Sequence, residues 1–147
     1  MVTHRESHKP KIDQEKIQDR VAILLATFNG EKFIERQLST ILMQKSVLVE
    51  VYISDDLSTD NTLNTVKDYA SKFSNIKIIS NNKKFGSAAR NFFHLIRTVD
   101  VAAFDYVAFS DQDDVWADRK LINAISLLKE FKSSAYSSNF YAVWERT

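Results

Sequence analysis

Glycine is scarce in this chain of 147 residues, which contains only two, Gly30 and Gly86. Two glycines at these positions cannot form either glycine-rich phosphate loop, G-x-G-x-x-G or G-x-x-x-x-G-K-[ST]. If a phosphate group binds to this chain, another chemistry must therefore neutralise its charge.

The chain also has no cysteine, so disulfides and thiolate metal sites are excluded. No apolar run approaches the roughly 20 residues that span a bilayer, and the N-terminus lacks the apolar core of a signal peptide. We therefore expect a cytoplasmic protein. A net charge of +1 gives no sign of nucleic-acid binding, so any partner must be argued from a local site.

The hydrophobic fraction of 44% is sufficient for the core of one domain. The first 20 residues are different, because they are highly charged and contain few apolar side chains. We expect residues 1–20 to form a flexible charged arm and residues 21–147 to form the folded domain.

Apolar runs and helical periods alternate along that domain. The predicted strands are Val21–Ala26, Val47–Ser54, Ile76–Ser80 and Tyr106–Ser110. The run "VAILLA" is apolar throughout, which is typical of a parallel strand covered on both faces. In the third predicted helix, Ala88–Val99, we expect Phe92, Phe93 and Ile96 to face the core. Strict alternation predicts an α/β fold with a mainly parallel sheet and helices on both faces.

Three polar clusters, "TFNGE", "SDDLSTD" and "SDQDD", each follow a predicted strand. In parallel sheets ligands bind at the carboxyl ends of the strands. Unrelated loop acids would be expected at both ends of the sheet, so the coincidence indicates a binding site at one rim.

Asp111 and Asp113 are the most informative acids of these clusters. Separated by one residue, they point to the same side if the backbone stays extended, where their charges repel unless a divalent cation lies between them. Oxygen ligands favour Mg²⁺ or Mn²⁺, an arrangement that suits a metal-bridged diphosphate. The alternative is a solvated loop in which Asp114 or Asp118 caps the following helix.

The other clusters leave similar alternatives. Asp55 and Asp56 could accept hydrogen bonds from a base or ribose, or form a solvated turn. For Asp60, capping of the next helix is the better interpretation. Thr27 could contact a ligand through its hydroxyl, and Arg90 could supply a cation to a phosphate or base.

Four segments together resemble the family 2 glycosyltransferases, most closely the rhamnosyltransferase-like branch with its "SDQDD-x-W" signature. They are "VAILLATFNGEKFIERQLSTILMQ", "VYISDDLSTDNT", "NNKKFGSAARN" and "AFSDQDDVWADRKL". The resemblance implies a Rossmann-like GT-A fold that transfers a sugar from a UDP- or dTDP-sugar, usually with inversion and a Mn²⁺ or Mg²⁺ ion. It also implies a glycan or lipid-linked acceptor and a peripheral membrane association at the inner face.

The resemblance assigns nucleotide-sugar-binding roles to Thr27, Glu31, Asp56 and Arg90. Thr27 and Glu31 match the family's first nucleotide-binding segment, Asp56 matches the acid that contacts the base, and Arg90 lies at the start of the donor-binding helix.

Asp111 and Asp113 match the family's D-x-D element, in which the first acid contacts ribose or metal and the second binds the metal on the diphosphate. Family members continue beyond this point and supply a general base there, which the last residues of this chain do not match. We therefore expect an incomplete GT-A fold, truncated after the donor-binding half, with no catalytic base assigned. A non-catalytic donor-binding remnant is the alternative, and a phosphoryl-transfer domain ranks below both.

Overall fold

The computed structural model describes residues 18–139 and residue 141, in which four strands alternate with four helices. In chain order the elements are β1 (Asp19–Thr27), α1 (Ile34–Leu42), β2 (Val47–Asp55), α2 (Thr62–Lys72), β3 (Ile76–Ile78), α3 (Ala88–Thr98), β4 (Tyr106–Asp111) and α4 (Lys120–Phe131). The predicted alternation is confirmed. The predicted arm lies largely outside the described residues, and Asp19 and Arg20 from its end begin β1.

The four strands form one sheet in the order β3-β2-β1-β4, and all three pairings among them are parallel. β1 is therefore central, with Asp19–Thr27 paired to β2 and Val21–Ala26 paired to β4. A strand with neighbours on both edges and helices on both faces needs apolar side chains throughout, which explains the continuous run "VAILLA".

Helices cover both faces of this sheet, as predicted. Val21, Ile23 and Leu25 of β1 pack on one side with α1, α2 and α4, whereas Leu24 and Ala26 pack on the other side with α3. Alternate side chains of a strand point to opposite faces, so a single apolar strand supplies both core layers.

The inward face of α3 differs from the sequence-based expectation. Phe93 and Ile96 are 58% and 48% exposed, so their predicted burial is wrong. The buried stripe instead contains Asn91, Leu95 and Val99, which are spaced four residues apart; Val99 is the residue that directly follows the end of α3. A buried polar residue on this stripe made the more hydrophobic neighbouring stripe look like the core face.

None of the helices within residues 18–139 combines the length and apolar character needed to cross a membrane.

Candidate functional site

The candidate site lies where the direction of the strand order changes, because β1 is followed in sequence by β2 on one side and is joined by β4 on the other. Such a point opens a crevice at the carboxyl ends of the strands. The parallel register places Asp111 opposite Ala26 and Asp55 opposite Thr27. The three polar clusters identified in the sequence therefore meet at one rim.

A cavity of about 410 Å³ lies at this rim. It is lined by the strand ends, the loop before α3 and the first turn of that helix. The lining residues are Ala26, Thr27, Phe28, Asp56, Lys84, Gly86, Ser87, Ala88, Asn91, Asp111, Gln112 and Asp113. Four of the six sequence-predicted binding residues, namely Thr27, Asp56, Asp111 and Asp113, thus share one cavity.

Asp111 and Asp113 carry uncompensated negative charge. Among the described residues neither carboxylate accepts a hydrogen bond or forms an ion pair. Although Asp111 is an exposed residue, desolvation of its carboxyl group raises its pKa, and the charges of Asp114 and Asp113 raise that pKa further. The local field therefore favours any cation that approaches these two side chains.

The helix-cap alternative for this acidic cluster is wrong. Arg119 is the N-cap of α4 and its side chain makes no capping hydrogen bond, while the Leu121 amide in the first turn donates to Oε1 of Gln44 at 3.0 Å. Asp118 instead forms an exposed ion pair with Lys45, and Asp114 accepts a 3.4 Å hydrogen bond from Nε1 of Trp116. Neither acid is used to begin α4.

The acids that remain suit a divalent ion bound together with a ligand. Within the part of the chain that the structure describes, no three acidic, histidine or cysteine side chains converge as a complete metal site. Mg²⁺ commonly takes one or two carboxylates and completes its shell with substrate phosphates and water. Asp111 and Asp113 provide that oxygen-donor set, so the residues fit a metal bound with a diphosphate.

Gln112, between the two acids, fastens β4 to the end of β1. Its Oε1 accepts hydrogen bonds from Thr27 Oγ1 at 2.6 Å and from the Phe28 amide at 2.8 Å, and its Nε2 donates to the Phe28 carbonyl at 3.1 Å. The sequence analysis missed this residue because an uncharged amide among acids gives no charge signal. Its position inside the "SDQDD" cluster was the available clue.

Asp56 holds the loop that precedes α3. The residue is only 3% exposed, and its two carboxylate oxygens accept the backbone amides of Phe85 and Gly86, the latter at 2.8 Å. Gly86 has a φ of 75°, a left-handed conformation in which glycine avoids a Cβ penalty. One buried carboxylate thus sets the position of the cavity wall formed by this loop.

Asn91 is a second polar residue that the sequence analysis missed. Its Nδ2 donates to the carbonyl of Ser54 at 2.8 Å and to that of Thr27 at 3.5 Å, which ties α3 to two strand ends. Its Oδ1 is buried without a hydrogen-bond partner among the described residues. An unpaired buried acceptor is costly, so a donor from a bound ligand would be favourable here.

Glu31 does not line the cavity. Its carboxylate accepts the Asn61 amide at 2.9 Å, while its own amide donates to Asp60 at 3.1 Å. Asp60 also accepts the amide of Thr62, the first residue of α2, at 3.0 Å, so its predicted capping contact is present although the N-cap position is Asn61. Glu31 joins two loops in this structure, and its nucleotide-binding role stays a prediction.

Arg90 does not line the cavity that contains Asp111 and Asp113. It lines a neighbouring cavity of about 420 Å³. The residues around this second cavity are Lys83, Phe85, Arg90, Phe93, His94 and Arg97. The Arg90 guanidinium donates a long, 3.4 Å hydrogen bond to the Phe85 carbonyl. The structure therefore separates Arg90 from the carboxylates with which the sequence grouped it.

The cavity with Asp111 and Asp113 is also lined by a cation, Lys84, and an aromatic ring, Phe28, which the sequence analysis did not select. Lys84 Nζ lies 3.9 Å from the centre of the Phe28 ring, within the range of a cation–π interaction. The pair places a positive charge and an apolar surface beside Asp56 and the acidic cluster.

This combination of a parallel α/β sheet, a switch-point cavity and paired acids after β4 coincides with a family-wide sequence pattern. The model of the family described as "Glycosyl transferase family 2" matches residues 22–146. The chain belongs to glycosyl transferase family 2. The GT-A fold expected from the sequence is confirmed by solved glycosyltransferases with the same architecture.

Two relatives show how far the family 2 similarity extends. The chain is 47% identical over 121 residues to the dTDP-rhamnosyl transferase RfbG of Shigella flexneri, covering 82% of this chain and 42% of that protein. It is 34% identical over 125 residues to the UDP-Glc:alpha-D-GlcNAc-diphosphoundecaprenol beta-1,3-glucosyltransferase WfaP of Escherichia coli, covering 82% and 46%. The chain thus spans less than half the length of either family 2 relative.

Two solved structures are similar over a comparable region. S. aureus TarS in complex with UDP superposes with a TM-score of 0.65 at 26% identity, covering 76% of this chain and 32% of that one. The mannosyltransferase PcManGT from Pyrobaculum calidifontis, in complex with GDP-Man and Mn²⁺, superposes with a TM-score of 0.63 at 25% identity, covering 77% and 33%. Both similarities agree with the family 2 assignment.

Proposed function

We propose that this chain binds the nucleoside-diphosphate part of a UDP- or dTDP-sugar and contributes this donor site to a metal-dependent, inverting hexosyltransferase. The observation that carries the proposal is the placement of Asp111 and Asp113, uncompensated, in the same cavity as Thr27 and Asp56. The 47% identity to a dTDP-rhamnosyl transferase favours a deoxythymidine diphosphate donor.

The base and ribose would occupy the part of the cavity around Phe28 and Asp56. The Phe28 ring is 38% exposed and supplies an apolar face for a base. Asp56 already accepts two backbone amides, and each carboxylate oxygen has a further lone pair for an N–H of the base. Thr27, whose hydroxyl is engaged by Gln112, would act by positioning the loop beneath the base.

The diphosphate would lie towards β4. Asp113, with Asp111, would hold a Mn²⁺ or Mg²⁺ ion, which when bound supplies a positive charge that stabilises the leaving diphosphate. Lys84 can add a second positive charge at the cavity, since its ammonium group lies over Phe28 rather than in an ion pair with a described carboxylate. Instead of holding the ion, the Asp111 carboxylate would alternatively accept a hydrogen bond from a ribose hydroxyl.

The acceptor would be a glycan or a lipid-linked sugar at the inner face of the membrane. The name of the WfaP relative specifies a diphosphoundecaprenol-linked acceptor, which is the basis for proposing a lipid-linked sugar. Inverting transfer also needs a base for the acceptor hydroxyl, and we assign that role to no residue of this chain.

Donor turnover distinguishes a catalytic chain from a donor-binding remnant. The chain would be incubated with dTDP-rhamnose or a UDP-hexose and Mn²⁺, and released nucleoside diphosphate and free sugar would be quantified. Release above that of a control with Asp113→Asn supports catalysis. Tight nucleotide binding without any release would support the non-catalytic alternative, and absence of nucleotide binding would contradict both.

A further inference from the structure

The segment around α3 has a charge balance unlike that of the rest of the chain. Between Asn81 and Val99 the sequence contains four basic residues and no aspartate or glutamate, whereas the whole chain has 20 basic and 19 acidic residues. The basic residues of this segment are Lys83, Lys84, Arg90 and Arg97. A local excess of positive charge on a nearly neutral chain indicates an anionic partner.

Most of these charges lie on one outward face. Arg90, Phe93, His94 and Arg97 are spaced by three or four residues on α3 and line a single groove together with Lys83 and Phe85 of the preceding loop. We call these six residues the α3 basic face. Its cations are uncompensated, because the ion pairs among the described residues use Lys45, Lys77 and Lys129 instead.

Large apolar side chains accompany these charges at the surface. Phe93 is 58% exposed, and Ile96, which follows it by three residues on the same helix, is 48% exposed. The opposite side of α3 is already buried against the sheet through Leu95. Cations interleaved with exposed aromatic and aliphatic side chains on a helix are the pattern of an element that lies in a membrane interface.

We propose that the α3 basic face docks on an anionic phospholipid surface. The basic side chains would contact lipid phosphates, and Phe93 with Ile96 would enter the boundary between headgroups and acyl chains. The charge complementarity favours this occupant over a neutral protein surface, and the protruding apolar side chains favour it over a free small anion, which needs no such contacts. The proposal does not depend on the donor site, because Arg97 and Phe93 lie outside the cavity with Asp111.

Vesicle binding tests the proposal directly. The whole chain would be sedimented with vesicles of phosphatidylcholine alone and with vesicles that also contain phosphatidylglycerol, at low and high salt. We expect binding only to the anionic vesicles, with release at high salt. Equal binding to both vesicle types, or binding to neither at low salt, would overturn the proposal.

Variants of the outward residues sharpen the test. A basic residue next to an anionic bilayer contributes about fivefold to partitioning, so Arg97→Gln should lower the partition coefficient about fivefold and Arg97→Glu about 30-fold. Phe93→Ser should weaken binding to the anionic vesicles at low salt without changing how steeply binding falls with salt, because it removes apolar contact and no charge. Lys67→Glu makes the same charge change as Arg97→Glu at an exposed position of α2, which packs against the opposite face of the sheet, and should have little effect.

Three outcomes would contradict this assignment. If Arg97→Gln bound like the unaltered chain, the α3 basic face would not be the docking surface. If Lys67→Glu weakened binding as much as Arg97→Glu, the effect would come from net charge rather than from this face. If inorganic phosphate displaced the chain from vesicles at constant ionic strength, the groove would be a small-anion site. Circular dichroism and nucleotide binding of each variant would confirm that its fold is retained.

Discussion

The carboxamide of Gln112 occupies the space that a β-carbon on Gly30 would need. An ideal Cβ built on Gly30 would lie 2.6 Å from Cδ of Gln112, which is closer than non-bonded atoms approach. Glycine therefore lets the β1–α1 loop press against the residue between the two acids. This contact joins the β1–α1 loop to the acidic loop after β4, so the geometry of the two loops is coupled.

Gly30→Ala should destabilise the chain by displacing Gln112. The side chain would lose hydrogen bonds to Thr27 and Phe28, each contributing about 0.5–1.5 kcal/mol, so we expect a loss of about 1–3 kcal/mol in the free energy of unfolding. Denaturant unfolding measures this value. The double variant with Gly30→Ala and Gln112→Ala should lose much less stability than the sum of the losses in the two single variants. Additive costs would show that the Gln112 contact is not the cause.

Asp56→Asn should loosen the loop before α3. An asparagine offers one acceptor oxygen where two backbone amides need acceptors, and its NH₂ group would face one of those donors. We expect a loss of about 1–3 kcal/mol in stability and faster hydrogen exchange at the amides of Phe85 and Gly86. Asp68→Asn, the same change at an exposed position of α2, is the matched control. Unchanged protection at both amides would contradict the role given to Asp56.

Asp111 should make stability depend on pH above the ordinary aspartate pKa. Its folded-state pKa is raised, so the folded chain holds this proton more tightly than the unfolded chain does. The resulting stabilisation is complete below the ordinary aspartate pKa and is lost as pH rises through the raised pKa. Without metal, the unfolding free energy of the unaltered chain minus that of Asp111→Asn should fall with rising pH. A difference that is flat or rises would be inconsistent with this electrostatic picture.

The sequence was sufficient to predict the sheet and the rim where the site lies. The apolar run of β1 specified a strand covered on both faces, and acids after β2 and β4 had to meet because parallel strands share one carboxyl edge. Both inferences rest on local patterns that the tertiary structure cannot easily override.

Other features depend on packing that no local pattern records. The phase of α3 was misread because Asn91 is buried where an apolar residue is usual, and its amide holds two strand-end carbonyls instead. Gln112 and Asn91 contribute hydrogen bonds rather than charge, so neither stood out as functional. Arg90 lines the adjacent cavity, and the nucleotide-sugar-binding role that the resemblance implies for it stays a prediction.

The most direct test of the central claim is isothermal titration of the chain with dTDP and UDP, with and without Mn²⁺. We predict that Mn²⁺ strengthens binding of at least one nucleotide, that Asp113→Asn removes this gain, and that Asp114→Asn, which makes the same charge change outside the cavity lining, largely keeps it. Equal, metal-independent binding by the unaltered chain and Asp113→Asn would contradict the account.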